Sequence, residues 1–215
     1  MKETIKEIQR RVGVTADGIM GPVTLEAILE RLEERGAGCP STPDERTPSG
    51  YAEAAGLRKS GPWPTQREVR SGRSVFGEPG ESELVSVVPP YELLYEGKPV
   101  RSIRVHRLVA TCVKGALQDV LDHYGEARIR ELRLNEYGGS YHYRGTRGGS
   151  TLSMHAWGIA LDFMPDGNEL ETKAPRAVLS GAEYEAWWQI WESYGAVSLG
   201  RVCDRDWMHV QFARL

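Results

Sequence analysis

Ser153-Met154-His155-Ala156-Trp157-Gly158-Ile159-Ala160-Leu161-Asp162, running on into Phe163-Met164, is the stretch from which the fold is read. Residues 158–164 have the period of a strand. Ile159, Leu161 and Phe163 point to one face and suit a core, while Gly158, Ala160 and Asp162 point to the other. A carboxylate therefore stands on a face otherwise lined by very small residues, with open space above it. His155, just ahead of the strand, can fold over that space. A His and an Asp so placed can hold one divalent cation.

Moving outward, Asp206-Trp207-Met208-His209 precedes Val210-Gln211-Phe212. If 207–212 is a closing strand, Val210 and Phe212 enter the core and His209 and Gln211 face the other way. His209 is then a third ligand beside His155 and Asp162. Two imidazoles and one carboxylate are a common set for catalytic zinc, with one position left open, although other divalent ions also fit. Asp206, on the loop entering the strand, is placed as the unligated general base and acid that such chemistry needs. In the Gly-rich segment 140–149, Arg144 and Arg147 offer a guanidinium for a substrate carboxylate or an oxyanion. Arg144 ranks first, because it follows an expected strand over Tyr141–Tyr143.

The remaining pattern is α+β. An apolar run over 83–88 is stopped by Pro89-Pro90. A long helix lies within 102–124, with Cys112, Val113, Ala116, Leu117, Val120 and Leu121 on its apolar face and Gly125 as its end. Short strands or a hairpin are expected at 129–134 and 140–143 around Gly138-Gly139. A further helix spans 184–194, with Trp187, Ile190, Trp191 and Tyr194 facing inward and Trp188 outward. There is no internal repeat and no βαβ alternation. At the N-terminus, Ile5, Ile8 and Val12 mark one short helix. Leu25, Ile28, Leu29 and Leu32 mark a second, which begins at Pro22 after a Gly-rich turn. Residues 36–62 are rich in Pro, Gly, Ser and charge and read as a linker. The expected organisation is a helical module over 1–35, the linker over 36–62 and a main domain over 63–215.

Two resemblances follow from these motifs. The run from Ser153 to Asp162 resembles the SxHxxGxAxD signature of the zinc D-Ala-D-Ala carboxypeptidases and L-Ala-D-Glu endopeptidases, which share a metal site with lysostaphin-type peptidases and hedgehog domains. Asp206 and His209 resemble the family's later acidic-residue-and-His motif. Trp63-Pro64-Thr65-Gln66 and the run from Ser140 to Gly158 are similar to its endolysin-like branch. The resemblance implies an α+β fold with a small antiparallel sheet carrying a zinc cleft. It implies zinc on His155, Asp162 and His209, Asp206 as general base, and Arg144 or Arg147 at the substrate. The implied activity is hydrolysis of the stem peptide of bacterial peptidoglycan, with L-Ala-D-Glu endopeptidase activity placed before D-Ala-D-Ala carboxypeptidase activity. A non-catalytic wall-binding protein is the alternative of another class. Residues 5–9, 17–24 and 27–28 resemble the LQ…DGxxGPxT…A core of a peptidoglycan-binding module, which implies a second contact with the wall.

The bulk composition limits other readings. The 215 residues carry a net charge of −3, with 27% charged and 40% hydrophobic residues, and no basic run of the kind nucleic-acid binders use. No apolar stretch approaches the ~20 residues of a membrane span. The opening MKETIKEIQRRVG lacks the apolar segment of a secretory signal. The expectation is a monomer acting at the cell wall, released from the cytoplasm as phage lysins are, or a mature form. Cys39, Cys112 and Cys203 form no disulfide framework. Cys112 is expected as a buried thiol and Cys203 as a small hydrophobe. His106 and His123 are expected at the ends of the long helix, His142 without a substrate role, and Trp157 in the cleft wall.

Overall fold

The computed structural model describes residues 63–146 and 150–215, with Lys6 and Thr15 as isolated described positions. Apart from those two, the module expected over 1–35 and the linker over 36–62 lie outside the described residues, as do Cys39 and Arg147.

The described fold is α+β, built on small antiparallel sheets. Helix α1 (Gln66–Arg70) starts on a capping box: the Thr65 hydroxyl accepts from the Glu68 amide, and the Glu68 carboxylate accepts from the Thr65 amide. This start is clipped to the other end of the domain. The Gln66 amide donates to the Arg214 carbonyl at 2.7 Å, and the Arg214 amide donates to the Pro64 carbonyl at 2.9 Å.

Four short strands follow: β1 (Leu84–Val87), β2 (Leu93–Tyr95), β3 (Lys98–Val100) and β4 (Ile103–His106). β1 pairs with β4 and β2 with β3. The β2–β3 turn is Glu96-Gly97, both at positive φ (50° and 73°), which matches the twist of a two-residue hairpin. Helix α2 (Ala110–Glu131) buries Cys112, Val113, Ala116, Leu117 and Val120 as the apolar spacing predicts. Gly125 ends its first part, as expected. With φ 68° and ψ 156° it interrupts the helix, which then resumes. The strand expected at 129–134 is therefore absent: Ile129 is buried on the resumed helix, and the Leu132 amide closes its last turn on the Arg128 carbonyl.

The principal sheet is formed by β5 (Tyr137–Gly139), β6 (Ala160–Phe163), β7 (Val197–Ser198) and β8 (His209–Gln211), in the order β5-β6-β8-β7. Gly138 and Gly139 lie within β5 rather than in a turn, because β5 passes close to Asp162. A Cβ on Gly138 would sit 2.9 Å from the Asp162 Cβ. The strand expected over 140–143 is replaced by an irregular ladder, in which 142–146 runs back along 151–155 through a single bridge, Gly145 to Leu152.

Helix α3 (Glu185–Ser193) covers the core face of the sheet. Phe163 meets Trp187 at 5.0 Å and Trp191 at 5.4 Å between ring centroids. Trp188, expected outside, is buried too. Its indole N–H donates to the Leu179 carbonyl, and Trp207 packs at its edge. The short helix α4 (Leu199–Cys203) leads into the last loop. His106 is buried in β4 against Phe76 rather than at a helix end, whereas His123 is exposed just ahead of the break at Gly125, near the end of the first helical stretch. Among the described residues no helix is long and apolar enough to cross a membrane.

Gly158 joins the two halves of this scaffold. It lies at φ +67°, and an added Cβ would stand 2.4 Å from Leu84 Cδ2 and 3.1 Å from the His106 nitrogen. Gly77, at φ +60°, has open space at the same position. Both alanine variants pay the left-handed penalty of about 1–2 kcal/mol, and only Gly158→Ala adds an overpacking cost of about 1–3 kcal/mol. Urea unfolding should therefore give a midpoint for Gly158→Ala clearly below that of Gly77→Ala. Equal midpoints would mean that the strand contact is soft.

Candidate metal centre

The site is assembled from β6, β8 and the turn that precedes β6. A single turn of 3-10 helix (Met154–Trp157) is capped by Ser153, whose hydroxyl accepts from the His155 amide, and it closes at Gly158. This turn lifts His155 over the sheet. Asp162 and His209 are direct antiparallel partners, so both side chains leave the sheet on the same face. Ile159, Leu161, Val210 and Phe212 are fully buried, as the alternation predicts.

The ring nitrogens are fixed by their outer partners. His155 Nδ1 lies 2.8 Å from the Ser140 carbonyl, an acceptor only, so this nitrogen carries the proton. His209 Nε2 lies 3.2 Å from Gln211 Oε1. The Gln211 amide cannot be reversed, because its Nε2 donates to the Ala213 carbonyl at 2.6 Å. His209 Nε2 is therefore a donor as well. The lone pairs of His155 Nε2 and His209 Nδ1 both turn inward, 3.2 Å apart. Asp162 presents Oδ1 at 2.9 Å from His209 Nδ1 and Oδ2 at 3.3 Å from His155 Nε2.

Three electron-rich atoms facing one another call for a cation. Ligand atoms about 2.0–2.1 Å from a tetrahedral centre stand ~3.3 Å from each other, the spacing seen here. Among the described residues, His155, Asp162 and His209 are the group of three placed to hold a metal ion. Without a metal, the electrostatics favour a proton at these atoms. Burial opposes ionisation of Asp162, yet His155 and His209 outweigh it and hold the carboxyl well below the carboxylate range. Burial also opposes a charge on His209, but Asp162, Asp206 and Gln211 turn its net shift upward.

These residues open onto a cleft of about 300 Å³. Asp206 lines it and is not part of the ligand group. Burial raises its carboxyl above the ordinary value, His209 opposes that, and Asp162 adds to it. Asp206 is held by its backbone, at φ 53°, with its amide donating to the Leu170 carbonyl at 3.1 Å. Arg144 also lines the cleft, whereas Arg147 lies outside the described residues.

The sequence reasoning left out two cleft arginines, Arg70 and Arg205. Arg70 reaches across from α1, its Nε donating to the Leu152 carbonyl at 2.9 Å, and burial lowers its pKa. Gln211 was placed on the His209 face without a role. Two expectations are corrected here. Cys203 is exposed on the cleft wall rather than buried as a small hydrophobe. Trp157 is buried away from the cleft, because its indole N–H is satisfied by the Gly77 carbonyl at 2.9 Å. Ser153 caps the turn that carries His155.

No family model, curated protein or solved structure matches the chain. The reading of the site rests on its own residues.

Proposed function

We propose that this chain is a zinc-dependent peptidase of the hedgehog/D-Ala-D-Ala-peptidase type that hydrolyses a stem-peptide bond of bacterial peptidoglycan, the L-Ala-D-Glu bond before a terminal D-Ala-D-Ala bond. The observation that carries the reading is the inward-facing His155, Asp162 and His209 set at tetrahedral spacing, with Asp206 and Arg144 on the same cleft. The motif resemblance supplies the substrate class.

Held by these three residues, zinc would supply Lewis acidity and an acidified water. The chain's own groups account for the rest. Asp206, free of the ligand set and raised in pKa, takes a proton from the attacking water and returns it to the leaving amine as the C–N bond breaks. Arg144, with Arg70 and Arg205 nearby, offers forked donors to a substrate carboxylate. Burial of the two imidazoles and their fixed tautomers keep the donor set preorganised.

The test is a digest of purified peptidoglycan by zinc-loaded protein, with and without chelator, analysed by mass spectrometry. Stem peptides should be released, chelation should stop their release, and the fragment masses identify the bond. Release of nothing from several wall types would overturn the catalytic reading. Co-sedimentation with walls under those conditions would favour the non-catalytic binding protein.

A further inference from the structure

The geometry points to Gln211, locked in place from the opposite end of the domain by Gln66, as the positioning residue that presents His209 to the metal; this rests on the metal reading of the site. Gln211 is 1% exposed, with no solvent to satisfy its amide. Its Oε1 accepts from His209 Nε2 at 3.2 Å and from Gln66 Nε2 at 3.1 Å, while its own Nε2 donates to the Ala213 carbonyl at 2.6 Å. The carbonyl oxygen is thus forced toward His209. A reversed amide would set N–H against N–H on two sides and oxygen against oxygen on the third.

Two consequences follow for His209. Its Nε2 must donate, which leaves Nδ1 as the ligand atom facing His155 and Asp162. The ring plane is also set from one side, since Gln211 holds Nε2 while Nδ1 is left facing the proposed metal position beside Asp162. His155 reaches the same state through the Ser140 backbone carbonyl. The two imidazoles are therefore oriented by different means, one by main chain and one by a side-chain relay that substitution can break. Gln66 makes the relay non-local. It lies on α1, whose start is bonded to Arg214, so a segment far from the motif completes the metal shell.

The test is cobalt and zinc affinity, read by competition with a chelating indicator and by the cobalt absorption spectrum, in wild type, Gln211→Leu, Gln211→Glu and Gln66→Leu. Gln211→Leu keeps the volume but removes the acceptor, and its affinity should fall by about 10–100-fold with an altered cobalt spectrum. Gln211→Glu retains an acceptor for His209 Nε2 and should restore most of the affinity and the spectrum. A merely structural Gln would not be rescued in this way, because Glu cannot donate to the Ala213 carbonyl. If Gln211→Leu melts before titration, Gln66→Leu carries the test: weaker binding supports the relay and unchanged binding overturns it. Wild-type affinity in Gln211→Leu would overturn this inference alone. A wild type that binds neither metal would overturn the metal reading and this inference with it.

Discussion

Asp206→Asn is expected to lower the rate of stem-peptide hydrolysis by about 10²–10⁴-fold, the usual contribution of a positioned acid–base group, with zinc still bound. Asn has the shape of Asp but cannot take up the water's proton. It also tolerates the left-handed backbone that residue 206 adopts, so the loop and its bond to the Leu170 carbonyl should survive. Because Asp206 lies outside the ligand group, metal content should match wild type. Initial rates on purified walls, paired with zinc analysis of the same samples, check both halves. Full activity with zinc bound would remove Asp206 from the mechanism.

Asp162→Ala should show the largest effect on the centre itself. In the wild type, zinc at a thousandfold excess over its Kd should stabilise the fold by about 4 kcal/mol. The variant should lose that gain, because one of three ligands is gone. It should also be weaker without metal. Without metal, Asp162 is the anionic partner of the proton that His209 then favours, and removing one member of a buried charged pair costs about 3–5 kcal/mol. Thermal melts with zinc and with chelator separate these contributions. A zinc-induced rise in Tm equal to that of wild type would show that the metal binds elsewhere.

The candidate ligand set was legible because its residues are close in sequence to the features that place them. The alternation of Ile159, Leu161 and Phe163 fixes the face of Asp162, and Val210 and Phe212 do the same for His209. What could not be read depends on contacts between distant segments. Gly125 was legible as a helix stop, but the second helical stretch beyond it, which buries Ile129, was not. Trp188 faces away from the sheet, but the carbonyl of Leu179 and the ring of Trp207 cover it. Arg70 and Arg205 belong to no local pattern, and the alternation gives Gln211 only its face. Arg70 and Gln211 gain their places from partners, Leu152 and Gln66, that only the folded chain brings near. The readings for 1–62 and for Arg147 fall outside the described residues.

The clip between Pro64–Gln66 and Arg214 also bears on the order of assembly. Gln66 and Gln211 are separated by 145 positions along the chain, and contacts of such long range form slowly because a large loop must close first. During vectorial synthesis Gln66 emerges early and waits for almost the whole domain. His155 and Asp162 meet on a local hairpin scale, but the third imidazole gains its support only when the two extremities dock. Metal capture by this group, as proposed, would thus be a late event and would report that the polypeptide has finished folding.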